Sequence, residues 1–508
     1  MLIKNGLVVR VTGTRDTDIR IDGELISEIG ESLTPRDNEQ IIDASGKIVI
    51  PGGVDAHTHM DLDLGNVRAT DDFYTGTVAA ACGGTTTIID HMAFGPRGCS
   101  ITQQLDTYHS LAGGNAVVDY GFHGVLDHVD GAILDEVKSL IDEGVTSHKF
   151  YLTYSGMITD YEIARLMDCA SELGVMLAVH AENDGAITWL REKYRAMEKT
   201  SGKSMPVFHA MSRPPECEAE AVSRMTWLAC MSGDAPLYIV HLSSKLALEC
   251  VREARLRGQM NLYAETCPQY LLLDDSLYER EDGLKYVMSP PLRAPENCEA
   301  LWSALRSGDI DVVATDHCPF FYSREKQLRK DDFTKTPGGI PGVEARIPLM
   351  FRETRTSRFD SPHSGAAGAA SQDSGTAGEA SRKSFAVGTD SAETITGKLT
   401  LEQFVTLCCA NPARLFGLYP KKGVIAVGSD ADLVIIDPDV RATLTKSMLH
   451  ENCDYTPYEG LPLIGYPVMT ISRGEVIVRD GRFTGSKGRG RFLKRGLPDL
   501  WRNNSGHI

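Results

Sequence analysis

Two textures of hydrophobic patterning divide the chain. At both ends, apolar and polar residues alternate over short runs: LIKNGLVV, DIRIDGELISEIG and QIIDASGKIVIP within residues 1–50, then GSDADLVIIDP (428–438) and PVMTISRGEVIVRDGRFTG (467–485). Successive side chains of a strand point to opposite faces, and the Gly, Asn and Asp between the runs supply turns, so both pieces predict β-strands. Each piece alone is too short to bury a proper face. The expectation is therefore one small composite β-sandwich domain built from residues 1–52 and 420–486.

The middle, residues 53–419, repeats a different unit. Short β-rich runs recur at VDAHTHM, TTTIIDHM, VVDYGFHG, SHKFYL, MLAVHAE, LYIVHLSS, NLYAETCPQYL and DVVATDHCP. Helical periodicity fills several intervals, as in LDEVKSLIDEG, DYEIARLMDCASELG and KLALECVREARLRG. Eight strand–helix repeats predict an α/β fold, a (β/α)8 TIM-like barrel. Residues 355–397 break the repeat with a Ser-, Gly-, Ala- and Thr-rich stretch nearly free of large apolar side chains. Such a stretch has too little to bury against its ordering entropy, which predicts a flexible surface insertion. Residues 487–508 remain as a C-terminal tail.

Charge narrows the partners. With 52 Lys and Arg against 69 Asp and Glu, the chain carries a net charge of −17. Phosphate binding needs clustered basic residues, so nucleic acid is not an expected partner. The one basic cluster, Lys487 to Arg495 (KGRGRFLKR), reads as a solvated tail or subunit contact. No apolar run approaches the ~18 residues of a membrane helix, and the N-terminal stretch lacks an apolar signal core. The twelve cysteines show no CxxC pairing, which together suggests a reduced, cytoplasmic setting. Cys318 lies nearest the polar residues considered next but lacks the sequence context of a nucleophile.

Those polar residues fall at one relative position. His57, His59, His91, His180, His241, Asp316 and His317 all stand at the C-terminal ends of the apolar runs, the rim where such barrels assemble catalysis. His57 and His59 are i and i+2 on a strand and can reach one metal ion. A lone HxH, or a single strand-end histidine, is more often a satisfied core residue; four at the ends of strands in one barrel favour a metal. Imidazole suits zinc, with cobalt, manganese and iron also compatible. Asp316 ends DVVAT, where a carboxylate is costly unless it ligates, pairs or works. Lys149, in TSHKFYL, reads either as one half of a buried salt bridge or, beside two metals, as a carbamylated bridging ligand.

PGGVDAHTHMD, GGTTTIIDHM, KFYLTY, VHAEND, SRPPECEAEA, LYIVHLSS, ETCPQYLLL, SPPLR, VVATDHCP and NPARLFGL together resemble the hydantoinase/dihydropyrimidinase branch of the amidohydrolase superfamily. ENCDYTPYEG and GRGRFLKR bring the likeness nearest to its D-phenylhydantoinase group. The resemblance covers the chain outside 355–397. It implies a homotetramer with two divalent metal ions per subunit, His57, His59 and Asp316 on one and His180 and His241 on the other. Carbamylated Lys149 and a hydroxide would bridge them. It implies Tyr154 as hydrogen-bond donor to the developing oxyanion and Ser289 as a backbone contact to the substrate ring. Where relatives have Pro-Asn-Gly, this chain has Pro337-Gly338-Gly339, and Gly338 can still offer a backbone carbonyl to the ring.

The activity so implied is hydrolysis of 5-substituted hydantoins or dihydropyrimidines, small cyclic ureides, to N-carbamoyl amino acids. Leu64, in the rim segment DLGNVRATDDF, is the expected contact for the exocyclic group. The alternatives are an allantoinase-like cyclic amidase and a non-catalytic scaffold relative, the latter disfavoured because such relatives lose metal ligands.

Overall fold

In the computed structural model, residues 1–201, 205–328, 330, 332–355 and 397–504 are described. The insertion expected at 355–397 lies outside the described residues except at its two ends. Eight parallel strands run in chain order: β1 (Gly53–Thr58), β2 (Thr85–His91), β3 (Asp119–Val125), β4 (Ser147–Tyr151), β5 (Met176–His180), β6 (Leu237–Ile239), β7 (Leu262–Thr266) and β8 (Val312–Val313). Nearly every residue in them is buried. A parallel strand covered on both faces reads as a continuous apolar run, which is why all eight stood out in the sequence.

The seam between β8 and β1 is the least paired. It closes through a parallel bridge between Thr58 and His317, with the His59 amide donating to His317 O at 2.9 Å. At the other end of the seam, buried Arg346 donates to Val54 O (3.0 Å) on β1 and Val313 O (2.9 Å) on β8. The helices pack as their periodicity foretells. Asp160–Leu173 starts on a Thr159/Glu162 capping box, buries Ile163, Leu166, Met167 and Ala170, and stops at Gly174 with φ 72°. One expected strand is shorter than its apolar run: in NLYAETCPQYL, Pro268 begins a helix over Pro268–Leu272.

The two termini do meet. They share one nine-stranded sheet, joined where Ile48–Pro51 pairs antiparallel with Leu433–Ile436. A separate apolar cluster, including Ile3, Val8, Ile19, Ile21, Val49, Leu433 and Ile471, covers it. The loop between its strands Leu433–Thr443 and Pro462–Ser472 leaves the sheet and docks on the barrel rim. There the Asn452 amide donates to Asp71 (2.8 Å) and the Tyr458 hydroxyl to Gln269 (3.1 Å).

The basic segment Lys487–Arg495 is not a solvated tail. It crosses the N-terminal end of the barrel, where the Tyr120 amide donates to Arg491 O (3.0 Å) and the Leu493 amide to Tyr120 O (2.7 Å). Leu493 and Arg495 are buried, and Phe492 stacks on Phe122. Its cations meet groups of both the terminal sheet and the barrel floor, Arg491 bonding Glu24 of the sheet and Arg489 donating to Val117 O of the barrel.

Candidate metal centre

β1 carries His57 and delivers His59 just beyond its end, both inside the barrel mouth. Their Nε2 atoms each lie 3.1 Å from Asp316 Oδ1. His57 Nδ1 is 2.6 Å from Glu265 Oε1 at the end of β7. Glu265 also accepts from the His241 amide (2.9 Å) and the Tyr238 hydroxyl (2.8 Å), so one buried carboxylate orients two histidines. The His241 ring lies 5.5 Å from that of His57 and 4.6 Å from that of His180. His180 Nε2 is 2.7 Å from Glu182 Oε2, which is also paired with buried Arg213. Lys149 Nζ approaches His57 Nε2 at 3.5 Å. Among the described residues no carboxylate lies within 4.0 Å of it, so the salt-bridge reading of Lys149 has no partner here.

The six residues selected in the sequence thus converge on one cluster. His91 joins it: donor atoms of His57, His59 and His91 lie within 4.8 Å of one another, and neither His91 nitrogen has a hydrogen-bond partner among the described residues. His317 does not. Its Nδ1 accepts from the Gly342 amide (3.0 Å) and its Nε2 contacts Asp71 (3.1 Å), a structural role at the seam. Cys318 is buried and burial raises its thiol well above the ordinary range, which suits packing rather than nucleophilic attack. Glu265 went unassigned in the sequence; the same signal that marked Asp316, an acidic residue closing an apolar strand, marks it too.

The electrostatics favour positive charge at this point. Burial and Lys149 act to lower His57, yet Glu265 and Asp316 hold it up at about 9. Asp316 stays well below the ordinary carboxylate range, because His57 and His59 outweigh its burial. Burial brings Lys149 down to about 8. The field that draws a proton onto His57 between two carboxylates is one a divalent cation answers. The Nδ1 atoms of His59 and His241 are also buried without partners. Imidazoles, a carboxylate and orphaned nitrogens in one place fit a metal centre. Three residues here hold left-handed backbone that L side chains rarely adopt: Tyr154 (φ 74°), His241 (φ 39°) and Asp316 (φ 54°). Such strain gathers at functional sites.

Tyr154 stands over the cluster, its ring 5.2 Å from that of His180 and 5.3 Å from the Arg213 guanidinium. It is 37% exposed, and desolvation in the cleft raises its phenol pKa despite Arg213. Ser289 and Gly338 come together: a side chain placed on Gly338 would begin 3.7 Å from Ser289 Oγ. Leu64 sits on the rim loop between β1 and the following helix, 48% exposed.

A parallel eight-stranded barrel with imidazoles, carboxylates and a lysine at the carboxyl ends of its strands defines the class of barrel hydrolases built around a metal centre. Residues 48–477 match the amidohydrolase family. The chain is 46% identical to D-phenylhydantoinase of Escherichia coli O1:K1, over 97% of this chain and 98% of that one. Its fold is similar to that of dihydropyrimidinase from Brevibacillus agri (TM-score 0.86, 39% identity, 98% and 99% of the two chains). It is also similar to L-hydantoinase from Arthrobacter aurescens (TM-score 0.81, 29% identity, 97% and 99%). The chain belongs to the amidohydrolase family, in its hydantoinase/dihydropyrimidinase branch, and is a hydrolase of cyclic amides.

Proposed function

We propose that the chain opens 5-substituted hydantoins of the D-phenylhydantoin kind, or dihydropyrimidines, to N-carbamoyl amino acids. The observation that carries this reading is the convergence of His57, His59, His180, His241, Asp316 and a buried, carboxylate-free Lys149. This cluster sits beneath Tyr154 and shares the barrel mouth with paired loops bearing Ser289 and Gly338. His57, His59 and Asp316 would hold one divalent ion and His180 and His241 a second, zinc being well suited to these donors, with Lys149 as its carbamate shared between them. When bound, such a pair lowers the pKa of water towards ~7 and polarises the ring carbonyl.

Lys149 reaches the carbamate by adding carbon dioxide to its free amine with loss of one proton, and a pKa brought down to about 8 by burial leaves more of that amine unprotonated near neutral pH. Asp316, ionised in the cluster, accepts the proton of the attacking water and returns it to the leaving ring nitrogen. The Tyr154 hydroxyl donates to the oxygen that gains charge in the tetrahedral intermediate. Backbone groups at Ser289 and Gly338 hold the –CO–NH–CO– edge common to these rings. We place the enzyme in the cytoplasm as a homotetramer; among the described residues no helix is long and apolar enough to cross a membrane, and all twelve cysteines are free.

The test is metal analysis combined with kcat/KM for D- and L-5-phenylhydantoin, dihydrouracil and allantoin. Two ions per chain and turnover of a hydantoin or dihydrouracil are expected. Preference for allantoin would overturn the substrate reading, and a metal-free active enzyme would overturn the centre.

A further inference from the structure

Lys326 occupies a single helical turn, Glu325–Gln327, and is wholly buried. Its Nζ donates to Val287 O at 2.8 Å and to Pro337 O at 3.2 Å. Among the described residues no carboxylate lies within 4.0 Å of it. Burial pushes its amine down to about 7, against only the thiols of Cys453 and Cys318 acting to raise it. Burying an amine without a counter-charge is costly. What this one gains is two hydrogen bonds to two particular carbonyls.

Those carbonyls belong to the two loops assigned to the substrate ring. Val287 precedes Ser289 by two residues, and Pro337 immediately precedes Gly338. The loops are joined a second time, because the Gly339 amide donates to Val287 O at 3.1 Å. Val287 O therefore accepts from both Lys326 and Gly339, and Gly338 is pinned on either side. The pinning matters more here than it would beside an asparagine, since two consecutive glycines surrender the most backbone freedom on ordering.

We propose that Lys326 is a positioning residue for ring recognition: by tying Val287 O to Pro337 O it sets the spacing of the backbone groups that meet the ring edge. This rests on the reading of Ser289 and Gly338 as ring contacts. Lys326 is not among the residues proposed to hold metal or to meet the ring, so its loss acts on binding that is equal in the ground and transition states, which appears in KM rather than kcat.

The test uses the metal-loaded enzyme and its K326M, K326R and K326Q variants, each checked for metal content and thermal midpoint, on 5-phenylhydantoin and dihydrouracil. For K326M, KM should rise about tenfold by a similar factor on both substrates, with kcat within about threefold and metal content unchanged. K326R, which keeps donors at this position, should recover part of that rise. A folded, loaded K326M with ordinary KM would overturn the proposal, as would a loss confined to kcat or metal content. If K326M does not fold, K326Q, whose amide nitrogen ends one bond short of the Lys326 amine and cannot span both carbonyls, is measured in the same way, and an ordinary KM there is equally fatal. A wild type that opens neither ring overturns the substrate reading and this inference with it, whereas an active wild type with an unmoved variant sinks only the inference.

Discussion

Lys422 lies beneath the barrel, where its Nζ meets Asp119 at 2.7 Å, Asp430 at 2.9 Å and Asp432 at 2.8 Å. Lys149 lies at the opposite end, equally buried, with His57 as its hydrogen-bonding neighbour and, among the described residues, no carboxylate within 4.0 Å. Burial works against the charge of both amines. At Lys422 the three aspartates more than offset it and hold the pKa above the ordinary value; at Lys149 burial outweighs Asp316 and Glu265, and the pKa falls to about 8. At Lys422 this end of the barrel pairs the amine it buries and fastens tail, sheet and barrel together. The other leaves nitrogens unpaired and backbone strained around groups that need a ligand. Where local rules are broken without a compensating partner, function is the usual reason.

The sharpest way to break this contrast is at Lys149. Lys149→Ala removes the proposed bridging anion and should cost bound metal and nearly all activity. Lys149→Arg should fail as well, because a guanidinium cannot form a carbamate and stays cationic between two cations. Metal analysis and turnover measured together decide it. An arginine variant with two ions and near-normal turnover would leave Lys149 a structural residue, as Lys422 is.

Asp316 comes next. Asp316→Asn keeps shape and removes the base, so turnover should fall about 10²–10⁴-fold at equal metal content. Parent and variant must be compared at measured metal occupancy, since metal loss would imitate the effect. A fully loaded asparagine variant with ordinary turnover would reduce Asp316 to a ligand.

At the other end the consequence is stability rather than rate. Lys422→Met strands three buried carboxylates and should destabilise by about 3–5 kcal/mol in denaturant unfolding, while leaving kcat per bound metal unchanged. The sign with pH is fixed by the shifts. A raised Lys422 pKa contributes stability that is complete below the ordinary amine value and is lost as pH rises through the folded value. The depressed Asp119 pKa contributes stability that is complete above the ordinary carboxylate value and is lost as pH falls through the folded one. The difference between parent and variant should therefore shrink towards acid, where the stranded carboxylates of the variant take up protons and shed their cost. A difference that does not shrink in acid would show that the cluster is not a closed ion-pair network.

The two ends were also unequally legible in the sequence. The strands announced themselves because each is an unbroken apolar run, and the site because histidines interrupt those runs at one relative position. Glu265 escaped because its value is relational: only the fold shows one carboxylate serving both His57 and His241. Lys326 sits in YSREKQL, a charged stretch that reads as solvated loop, and nothing local signals that its amine ends inside. The basic segment at 487–495 misled for the same reason. Its cations look solvated until the fold sets them against barrel-floor carbonyls and a carboxylate of the terminal sheet. Periodicity reports what a residue's own element buries; it is silent on long-range partners of charged side chains.

The smallest effect tests the outermost part of the site. Ring contacts through backbone groups should treat all these rings alike, so preference among substrates must come from side chains meeting the exocyclic group. Leu64 is a candidate because its loop is held in place. Arg68 bonds Asp61 at 2.7 Å, the Leu64 amide donates to Val67 O at 2.9 Å, and Val67 packs with Leu62, Ala69, Cys318 and Phe320. A fixed loop presenting a half-exposed leucine offers apolar area to an aryl group and nothing to a carboxylate or ureido group. Full burial of such a side chain is worth about 1.5–3 kcal/mol, so aryl hydantoins should exceed allantoin in kcat/KM by roughly ten- to a hundredfold. Because about half of Leu64 is already covered, Leu64→Ser should lower kcat/KM for 5-phenylhydantoin by only about three- to tenfold. Dihydrouracil, which has no exocyclic group, should be unaffected. Equal losses on both substrates would mean that the loop acts on the ring or on access instead, and an unchanged phenylhydantoin rate would move the specificity contact elsewhere on the rim.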